Sequence, residues 1–363
     1  MFQNVKRTIK ILIISLSLLL LISLTLYFYI CRNDTIYKII KANGVFSFSV
    51  LLYDLEGTFA ERLEAYQIIY DSKNNLLKIL RVNTNAVVFK KKERARSLKS
   101  LFYENLKKNL DIAIDIFYLD LYEIIGKANS NLSDFYINMS LKTFGEMFGG
   151  DKNIKSLLTV KEFENKDLEL LNCLETIERV LYLAPYKFLQ IQKNYKYINT
   201  NITKISFLTL ILKIKKYKPE LMFCDMPVKY TKTRVEPNKE DIEEFLNKIY
   251  YSTAATIDEK HIIIDVKNAS RQNRMAEKVS WLLREHKFDV LDWGSFPIVY
   301  DKTIIKDFKG KFTQSLKISK ILGTGKVIIS YNSSVYIDIN VFIGKDCKIY
   351  DSLDRKEDLN GNH

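Results

Sequence analysis

The carboxyl-terminal third of the chain carries the most regular pattern of apolar and polar positions. Residues 262–266 form a short apolar run, and Asn268 and Ser270 follow it with turn-forming side chains. Residues 275–283 then place apolar side chains three and four positions apart with charged residues between them, which predicts a helix. A second apolar stretch follows at residues 288–290. Strand, helix and strand in this order predict a βαβ unit.

The region before this unit mixes the two periodicities. The predicted strands cover residues 45–52, 66–70, 76–82 and 111–121, the last running into a helical stretch at 122–125. The predicted helices cover residues 168–183, 205–217 and 241–250. The sequence DSKNN at residues 71–75 supplies a hairpin turn between two of the strands. This mixture predicts an α/β sandwich with a central mixed sheet, followed by a small carboxyl-terminal α/β module.

The last apolar pattern predicts a strand with one buried face in that module. Its apolar positions alternate with Asp338, Asn340 and Phe342, and they are Ile337, Ile339, Val341 and Ile343. Alternation with a period of two is typical of a strand that packs one face on a core.

The amino-terminal pattern is different, because residues 11–31 form a run of 21 residues without a charge. At about 1.5 Å per residue a helix of this length spans roughly 31 Å, the hydrocarbon thickness of a bilayer. Lys6, Arg7 and Lys10 precede it, so the positive-inside rule places residues 1–10 in the cytoplasm. The alternative is a cleaved signal peptide, but the run ends in bulky residues rather than small ones. We predict a transmembrane helix of the cytoplasmic (inner) membrane, with a single pass and an extracytoplasmic ectodomain.

Charge, cysteine and histidine narrow the classes of function. The net charge of +13 comes from lysines spread along all 363 residues, and for an extracytoplasmic protein we predict no nucleic-acid partner. The densest basic cluster, residues 90–99, is either a solvated loop and helix start or a contact for anionic lipid headgroups or phosphate-rich glycopolymers. Three ectodomain cysteines without metal-like spacing predict buried small side chains, and three scattered histidines leave little material for a zinc site or a histidine-based triad.

Particular residues in the carboxyl-terminal unit carry a resemblance to a known family. They are VKNAS at residues 266–270, Ala276 and Leu283 in the predicted helix, FDVLDWG at 288–294, PIVY at 297–300, TII at 303–305, Leu322 with Gly323, and FIGKD at 342–346. Together they resemble the carboxyl-terminal domain of bacterial LytR-CpsA-Psr (LCP) envelope proteins. The resemblance covers roughly residues 260–347.

The preceding region resembles the catalytic domain of the same family in the order of its elements, with its signature residues changed. Where the family has I-P-R-D-T, residues 80–84 read LRVNT, so Val82 stands for the arginine and Asn83 for the aspartate. The resemblance implies five segments: a cytoplasmic segment at 1–10, the membrane helix at 11–31, a degenerate LCP-like domain at 45–250, the LytR carboxyl-terminal-like domain at 260–350, and a disordered tail at 351–363.

Family enzymes transfer a glycopolymer from a polyprenyl-pyrophosphate carrier to the cell wall. This chemistry implies arginines for the pyrophosphate and carboxylates for a divalent cation of the Mg²⁺ type. The candidate site residues that remain in the matching region are Asp54, Arg62, Glu64 and Arg81, of which Asp54 and Glu64 are the candidate metal ligands. Arg81 replaces the missing arginine poorly, because a shift of one residue along a strand reverses the face of the side chain.

Three functional hypotheses follow. The first is a membrane-anchored LCP-like protein of the cell envelope, a pseudoenzyme that binds polyprenyl-linked glycans or partner proteins without efficient transfer. The second is a divergent but active glycopolymer transferase that uses Mg²⁺. The third is an anchored scaffold whose carboxyl-terminal module recruits another envelope protein.

Overall fold

The structure is a computed structural model that describes residues 18–22, 25, 34–56, 62–88, 95–125, 135–148, 166–183, 188–251 and 262–347. The helices are α1 (Thr35–Lys41), α2 (Leu98–Leu106), α3 (Leu110–Ile125), α4 (Leu141–Phe148), α5 (Lys166–Leu183), α6 (Phe188–Asn194), α7 (Lys204–Tyr217), α8 (Lys239–Tyr251), α9 (Met275–Glu285) and α10 (Phe312–Leu322). A short 3₁₀ turn covers Tyr195–Tyr197.

The strands are β1 (Val45–Tyr53), β2 (Leu63–Asp71), β3 (Leu76–Val82), β4 (Val87–Val88), β5 (Arg96–Ser97), β6 (Phe135–Ser140), β7 (Asn199–Thr200), β8 (Glu220–Asp225), β9 (Val228–Tyr230), β10 (Val235–Pro237), β11 (Ile263–Asn268), β12 (Asp289–Ser295), β13 (Ile304–Asp307), β14 (Lys326–Ile329) and β15 (Ile339–Ile343). Two small ribbons, β4–β5 and β9–β10, lie outside the main sheet.

One mixed sheet of 11 strands joins the amino-terminal and carboxyl-terminal parts of the described chain, in the order β12-β11-β15-β13-β14-β8-β3-β2-β1-β6-β7. The hairpins β1–β2 and β2–β3 are antiparallel, whereas β8 runs parallel to both β3 and β14. Contact between the two parts of the sheet is narrow, because β8 and β14 share only the pairs Phe223–Ile328 and Cys224–Ile329. The central mixed sheet predicted from the sequence is therefore present, and it continues into the carboxyl-terminal module.

Helices cover both faces of this sheet and enclose two cores. The first core holds buried side chains from α2, α3, α8, α9 and α10, with Phe102, Phe117 and Phe245 among the largest. The second core holds buried side chains from α1, α4, α5, α6 and α7 on the opposite face. Because strand side chains alternate between the two faces, successive residues of β3 enter different cores: Ile79 enters the second and Leu80 the first. The result is a three-layer sandwich.

The predicted strand at residues 111–121 is wrong, since these residues form most of α3. Its buried side chains Ala113, Ile114, Phe117 and Leu121 recur at three- and four-residue spacing, whereas Ile112 and Leu119 are exposed. Both patterns are present in this apolar segment, and packing of the helical face on the first core selects the helix.

The other predicted elements of the amino-terminal part are present. The hairpin between β2 and β3 turns at Asp71, whose carboxylate accepts hydrogen bonds from Asn74 N and Nδ2, and Asn75 adopts φ 50°. The predicted helices correspond to α5, α7 and α8, and the extended segment after Pro227 forms the β9–β10 ribbon. The cysteines Cys173, Cys224 and Cys347 are buried, as predicted.

The carboxyl-terminal βαβ unit is also confirmed, with β11 and β12 parallel on either side of α9. β15 is buried on both faces, in contrast to the single buried face predicted. Phe342 is 6% exposed, because its ring packs 4.8 Å from Phe296 and 5.8 Å from Tyr300, measured between centroids. A loop that crosses the second face thus covers a position that the strand pattern alone leaves at the surface.

Helix α8 connects the amino-terminal and carboxyl-terminal parts beside the β8–β14 junction. The buried Lys78 of β3 donates from Nζ to Ile249 O at 2.6 Å, at the end of the helix. Phe245 stacks on Tyr331 with 5.4 Å between ring centroids. The Asp241 carboxylate accepts hydrogen bonds from Ser333. Small polar residues predict a linker at residues 251–260, of which the structure describes only Tyr251, the last residue of this helix. The module bounds 45–250 and 260–350 stay predictions.

Within the described part of the chain, no helix is both long and apolar enough to cross a bilayer. Of the predicted span 11–31, only Leu18–Ile22 and Thr25 belong to that part, so the membrane helix falls outside the described residues, as do the cytoplasmic segment 1–10 and the tail 351–363.

Candidate functional site

The structure brings the four candidate residues to one edge of the sheet. Asp54 follows the end of β1, Arg62 and Glu64 lie at the start of β2, and Arg81 lies near the end of β3. Strand register explains this placement, since Leu52 pairs with Glu64 in the β1–β2 hairpin and Tyr66 pairs with Arg81 in the β2–β3 hairpin. The parallel strands β3 and β8 both end at this place. In open α/β sheets, ligands bind at the carboxyl ends of the strands.

Arg81 belongs to a buried ion pair. Its Nε lies 3.1 Å from Asp225 Oδ1, and the two side chains are 12% and 2% exposed. The two residues are neighbours in the parallel β3–β8 register, although 144 positions separate them in the sequence. The guanidinium charge of Arg81 is therefore balanced by a carboxylate of the protein itself.

Val82 points to the other side of the sheet. It pairs with Ala65, is 3% exposed and belongs to the first core, whereas Tyr66 beside Arg81 belongs to the second. The side chains of Val82 and Arg81 therefore lie on opposite faces of the sheet. Asn83 lies in the turn that follows, where its Oδ1 accepts a hydrogen bond from Asn85 N.

Tyr66 is the centre of a polar cluster on the second face. Its hydroxyl lies 3.4 Å from Cys173 Sγ of α5 and donates to Glu64 Oε2 at 3.5 Å. Burial raises the pKa of Tyr66 well above its usual value, Cys173 and Glu64 raise it further, and the positive charge of Arg81 opposes them. Tyr66 therefore stays a neutral phenol at any physiological pH and serves as a hydrogen-bond donor.

Asp54 is held by its surroundings. It is 4% exposed, and its Oδ1 accepts a hydrogen bond from Glu56 N at 3.3 Å. Its own backbone nitrogen donates to Tyr103 Oη and to Arg62 O, both at 3.1 Å. The Tyr103 hydroxyl in turn donates to Arg62 O at 2.5 Å, so it ties the end of β1 to the segment before β2. Asp54 thus has a structural role in this turn.

A metal site has limited material in this cluster. Across the described ranges, no group of three or more histidine, cysteine, aspartate or glutamate side chains is arranged to hold a metal ion. Asp54 and Glu64 are diagonal neighbours across the β1–β2 register, a spacing of about 7 Å in antiparallel sheets. Proteins usually bind Mg²⁺ through one or two carboxylates, and substrate phosphates supply further ligands. These two residues would hold the ion in an active transferase.

Sequence reasoning missed Asp225, Tyr66 and Cys173, although the structure places them around the candidates. One feature of the sequence could have identified Asp225: it is an acid that ends the apolar run 221–224 directly before Met226 and Pro227. Its partner could not be inferred, because pairing of β8 with β3 is a long-range contact. Cys173 carried no signal of a polar environment in its helical pattern.

No protein-family model matches the chain, and no curated protein matches it in sequence. Several solved structures are similar in overall fold. A transcriptional regulator from Enterococcus faecalis has 10% identity and a TM-score of 0.42, over 58% of this chain and 88% of that one. TagV from Bacillus subtilis has 12% identity and a TM-score of 0.40 (57% and 97%), and TagU from the same organism has 10% and 0.38 (56% and 95%). These scores assign neither an activity nor a ligand to this chain.

Proposed function

We propose that this chain is a membrane-anchored, extracytoplasmic LCP-like protein that binds polyprenyl-linked or phosphate-rich envelope glycans without transferring them efficiently. The anchor is the apolar run at residues 11–31, which makes it a single-pass protein of the cytoplasmic membrane. The binding region is the strand end that carries Asp54, Arg62, Glu64 and Arg81.

One observation carries the proposal. The position that resembles the family's signature arginine is Val82, which is buried in the first core, while the adjacent Arg81 is paired with the buried Asp225 on the other face. Transfer from a pyrophosphate carrier needs preorganised positive charge where the leaving phosphate develops, and this contribution is usually the largest in such catalysis. Loss of one such contact typically lowers the rate by about 10²–10³. A guanidinium already neutralised by a buried carboxylate does not replace it.

Turnover by the purified full-length chain in detergent tests the proposal. A polyprenyl-pyrophosphate-linked glycan should bind, as followed by retention on the immobilised protein, while release of polyprenyl phosphate stays at the background level. The double variant Val82→Arg with Asn83→Asp is compared with the control Val82→Leu, which keeps an apolar side chain at the same place. Robust turnover by the unmodified chain, lost in Arg62→Ala or Asp54→Ala, would instead establish the divergent transferase.

A second candidate, the anchored scaffold, is favoured by one surface of the carboxyl-terminal module. Trp281 and Trp293 are 57% and 40% exposed, and the Arg284 guanidinium lies between them, 5.7 and 4.7 Å from their ring centroids. Trp293 belongs to β12, an edge strand of the sheet. Tryptophan and arginine are the residues that most often dominate protein interfaces. Crosslinking from position 281 in cells should yield one discrete envelope-protein adduct if the scaffold is correct.

A further inference from the structure

Three segments that are distant in the sequence meet at the end of the sheet opposite the candidate site. They are the end of α1, the β2–β3 hairpin and the last turn of α7. Asn75 Nδ2 donates to Tyr217 O at 2.8 Å, and Ser72 Oγ donates to Gly44 O at 2.6 Å. Lys213 Nζ lies 5.3 Å from the Tyr37 ring centroid, which joins α7 to α1. These contacts form one continuous surface, called the hairpin-end surface below.

The hairpin-end surface is strongly basic. Its lysines are Lys38, Lys41, Lys73, Lys213, Lys216 and Lys218. The nearby acids do not offset them: Asp71 is 7% exposed and bonded to Asn74, and Glu220 forms an ion pair with Lys320 at 2.7 Å. Like charges gathered on one surface repel one another, so such a cluster is stabilised when it meets an anionic partner.

Apolar and aromatic side chains are exposed among these lysines. Leu212 is 51% and Tyr217 is 43% exposed, and Leu212 lies one helical turn from Lys216 on α7. Lys213 and Lys216 lie 5.3 and 5.4 Å from the centroid of the Tyr217 ring. Surfaces that meet lipid headgroups have two features. Tyrosines are enriched there, and the stems of lysines lie on apolar surface while the ammonium groups reach outward.

The direction of the chain places this surface beside the predicted anchor. Helix α1 begins at Thr35 with Asp34 as its cap, and Tyr37 in its first turn contacts Lys213. The predicted membrane helix ends at residue 31, so the connection to α1 spans at most about 14 Å. The hairpin-end surface therefore lies within reach of the headgroup layer.

We propose that the hairpin-end surface docks on an anionic lipid bilayer and fixes the orientation of the ectodomain. The phosphates of the lipid headgroups pair with the six lysines, and Tyr217 and Leu212 enter the interfacial layer. The inference rests on the membrane anchor of the proposed function.

Lysine footprinting of the full chain tests the docking. The protein is incorporated into nanodiscs of phosphatidylcholine alone or with phosphatidylglycerol, acetylated briefly, and analysed by mass spectrometry. A basic residue near an anionic surface gains about fivefold in partitioning, so labelling of Lys73, Lys216 and Lys218 should fall at least about fivefold in the anionic nanodiscs. Salt should restore it. The controls are Lys142 and Lys232, exposed residues near the opposite end, whose labelling should not change.

Charge and shape are separated by two triple variants of Lys73, Lys216 and Lys218. Replacement of all three by arginine should keep the protection of the remaining lysines Lys38 and Lys41, and replacement by glutamine should abolish it. Equal labelling in the two kinds of nanodisc, or equal protection of Lys142, would overturn the docking. If the chain fails to enter nanodiscs, the anchor is wrong. Flotation with phosphatidylglycerol vesicles then tests the docking without the anchor. The unmodified chain and the arginine variant should float, and only the glutamine variant should stay at the bottom of the gradient. An unmodified chain that does not float would refute the docking.

Discussion

Asp346 and Asp307 of the carboxyl-terminal part use their carboxylates differently from Asp225 of the amino-terminal part. In the carboxyl-terminal part, Asp346 accepts hydrogen bonds from Thr303 N and Oγ1 at 2.7 and 2.8 Å and from Thr324 Oγ1 at 2.7 Å. The fully buried Asp307 likewise accepts from Lys309 N and Ser315 Oγ, both at 2.9 Å, and burial raises its pKa. These acids bind the loops of their own module.

In the amino-terminal part, charge is paired between strands and lies at the strand ends. Arg81 and Asp225 pair across β3 and β8, with Glu64 and the Tyr66–Cys173 contact beside them. Such groups face the edge of the sheet where ligands are usually bound. In the carboxyl-terminal part, by contrast, Thr303, Gly344 and Asp346 hold the fold itself.

The largest expected loss of stability follows from a substitution at Gly344, in the loops of the carboxyl-terminal part. A Cβ on Gly344 would lie against the backbone of Lys302 and 2.6 Å from Thr303 N, so Gly344→Ala must displace a backbone segment. We expect the free energy of unfolding to fall by about 4 kcal/mol, in the range of the most damaging single substitutions. Thermal unfolding of the detergent-solubilised chain, followed by circular dichroism, measures the change. Gly294→Ala is the matched control, because a Cβ there meets nothing within 4 Å. Similar losses in both variants would contradict the role of the close approach.

The second effect tests the strand-pairing charges. Asp225→Asn leaves the guanidinium of Arg81 partly buried without its carboxylate, so we expect a loss of about 2–3 kcal/mol in unfolding free energy. The double variant Arg81→Leu with Asp225→Leu should recover most of it, because apolar side chains often replace a buried ion pair at little cost.

The exposed pair Lys142–Glu56 is the control for that substitution, with side chains 63% and 56% exposed. Glu56→Gln should cost less than about 1 kcal/mol, as for other surface pairs. Chemical denaturation of Arg81→Leu, Asp225→Leu and their double variant gives the interaction energy of the buried pair. A loss as small in Asp225→Asn as in Glu56→Gln would show that the buried pair does not stabilise the sheet.

The smallest expected loss of stability follows from removing a single hydroxyl, that of Thr324. Thr324→Ser keeps the donor to Asp346 Oδ2, and Thr324→Ala removes it, so only the second should cost about 1 kcal/mol or somewhat more. The difference between the two variants isolates the hydrogen bond from the methyl group. Equal melting temperatures of the serine and alanine variants would mean that this acid is satisfied without Thr324.

The success of sequence reasoning followed the range of the interactions. The β2–β3 hairpin and the βαβ unit of β11, α9 and β12 were predicted, because turn residues and periodicity lie within a few dozen positions of one another. The four candidate residues were predicted to share a region, and strand register placed them together. Asp225 escaped prediction because its contact with Arg81 spans 144 positions. Helix α3 was mistaken for a strand because its short apolar run contains both periods.

The sequence by itself determined most of the local elements, the charge-free run at residues 11–31, and the valine at position 82. Tertiary structure alone decided that β14 joins β8, so that both modules form one sheet, and that Arg81 is neutralised by Asp225. It also decided that the lysines of α1, the hairpin and α7 gather on one surface. The physical reason is the same in each case. Strand pairing, buried ion pairs and surface charge depend on which distant segments pack together, and hydrophobic periodicity specifies a buried face without naming its partner.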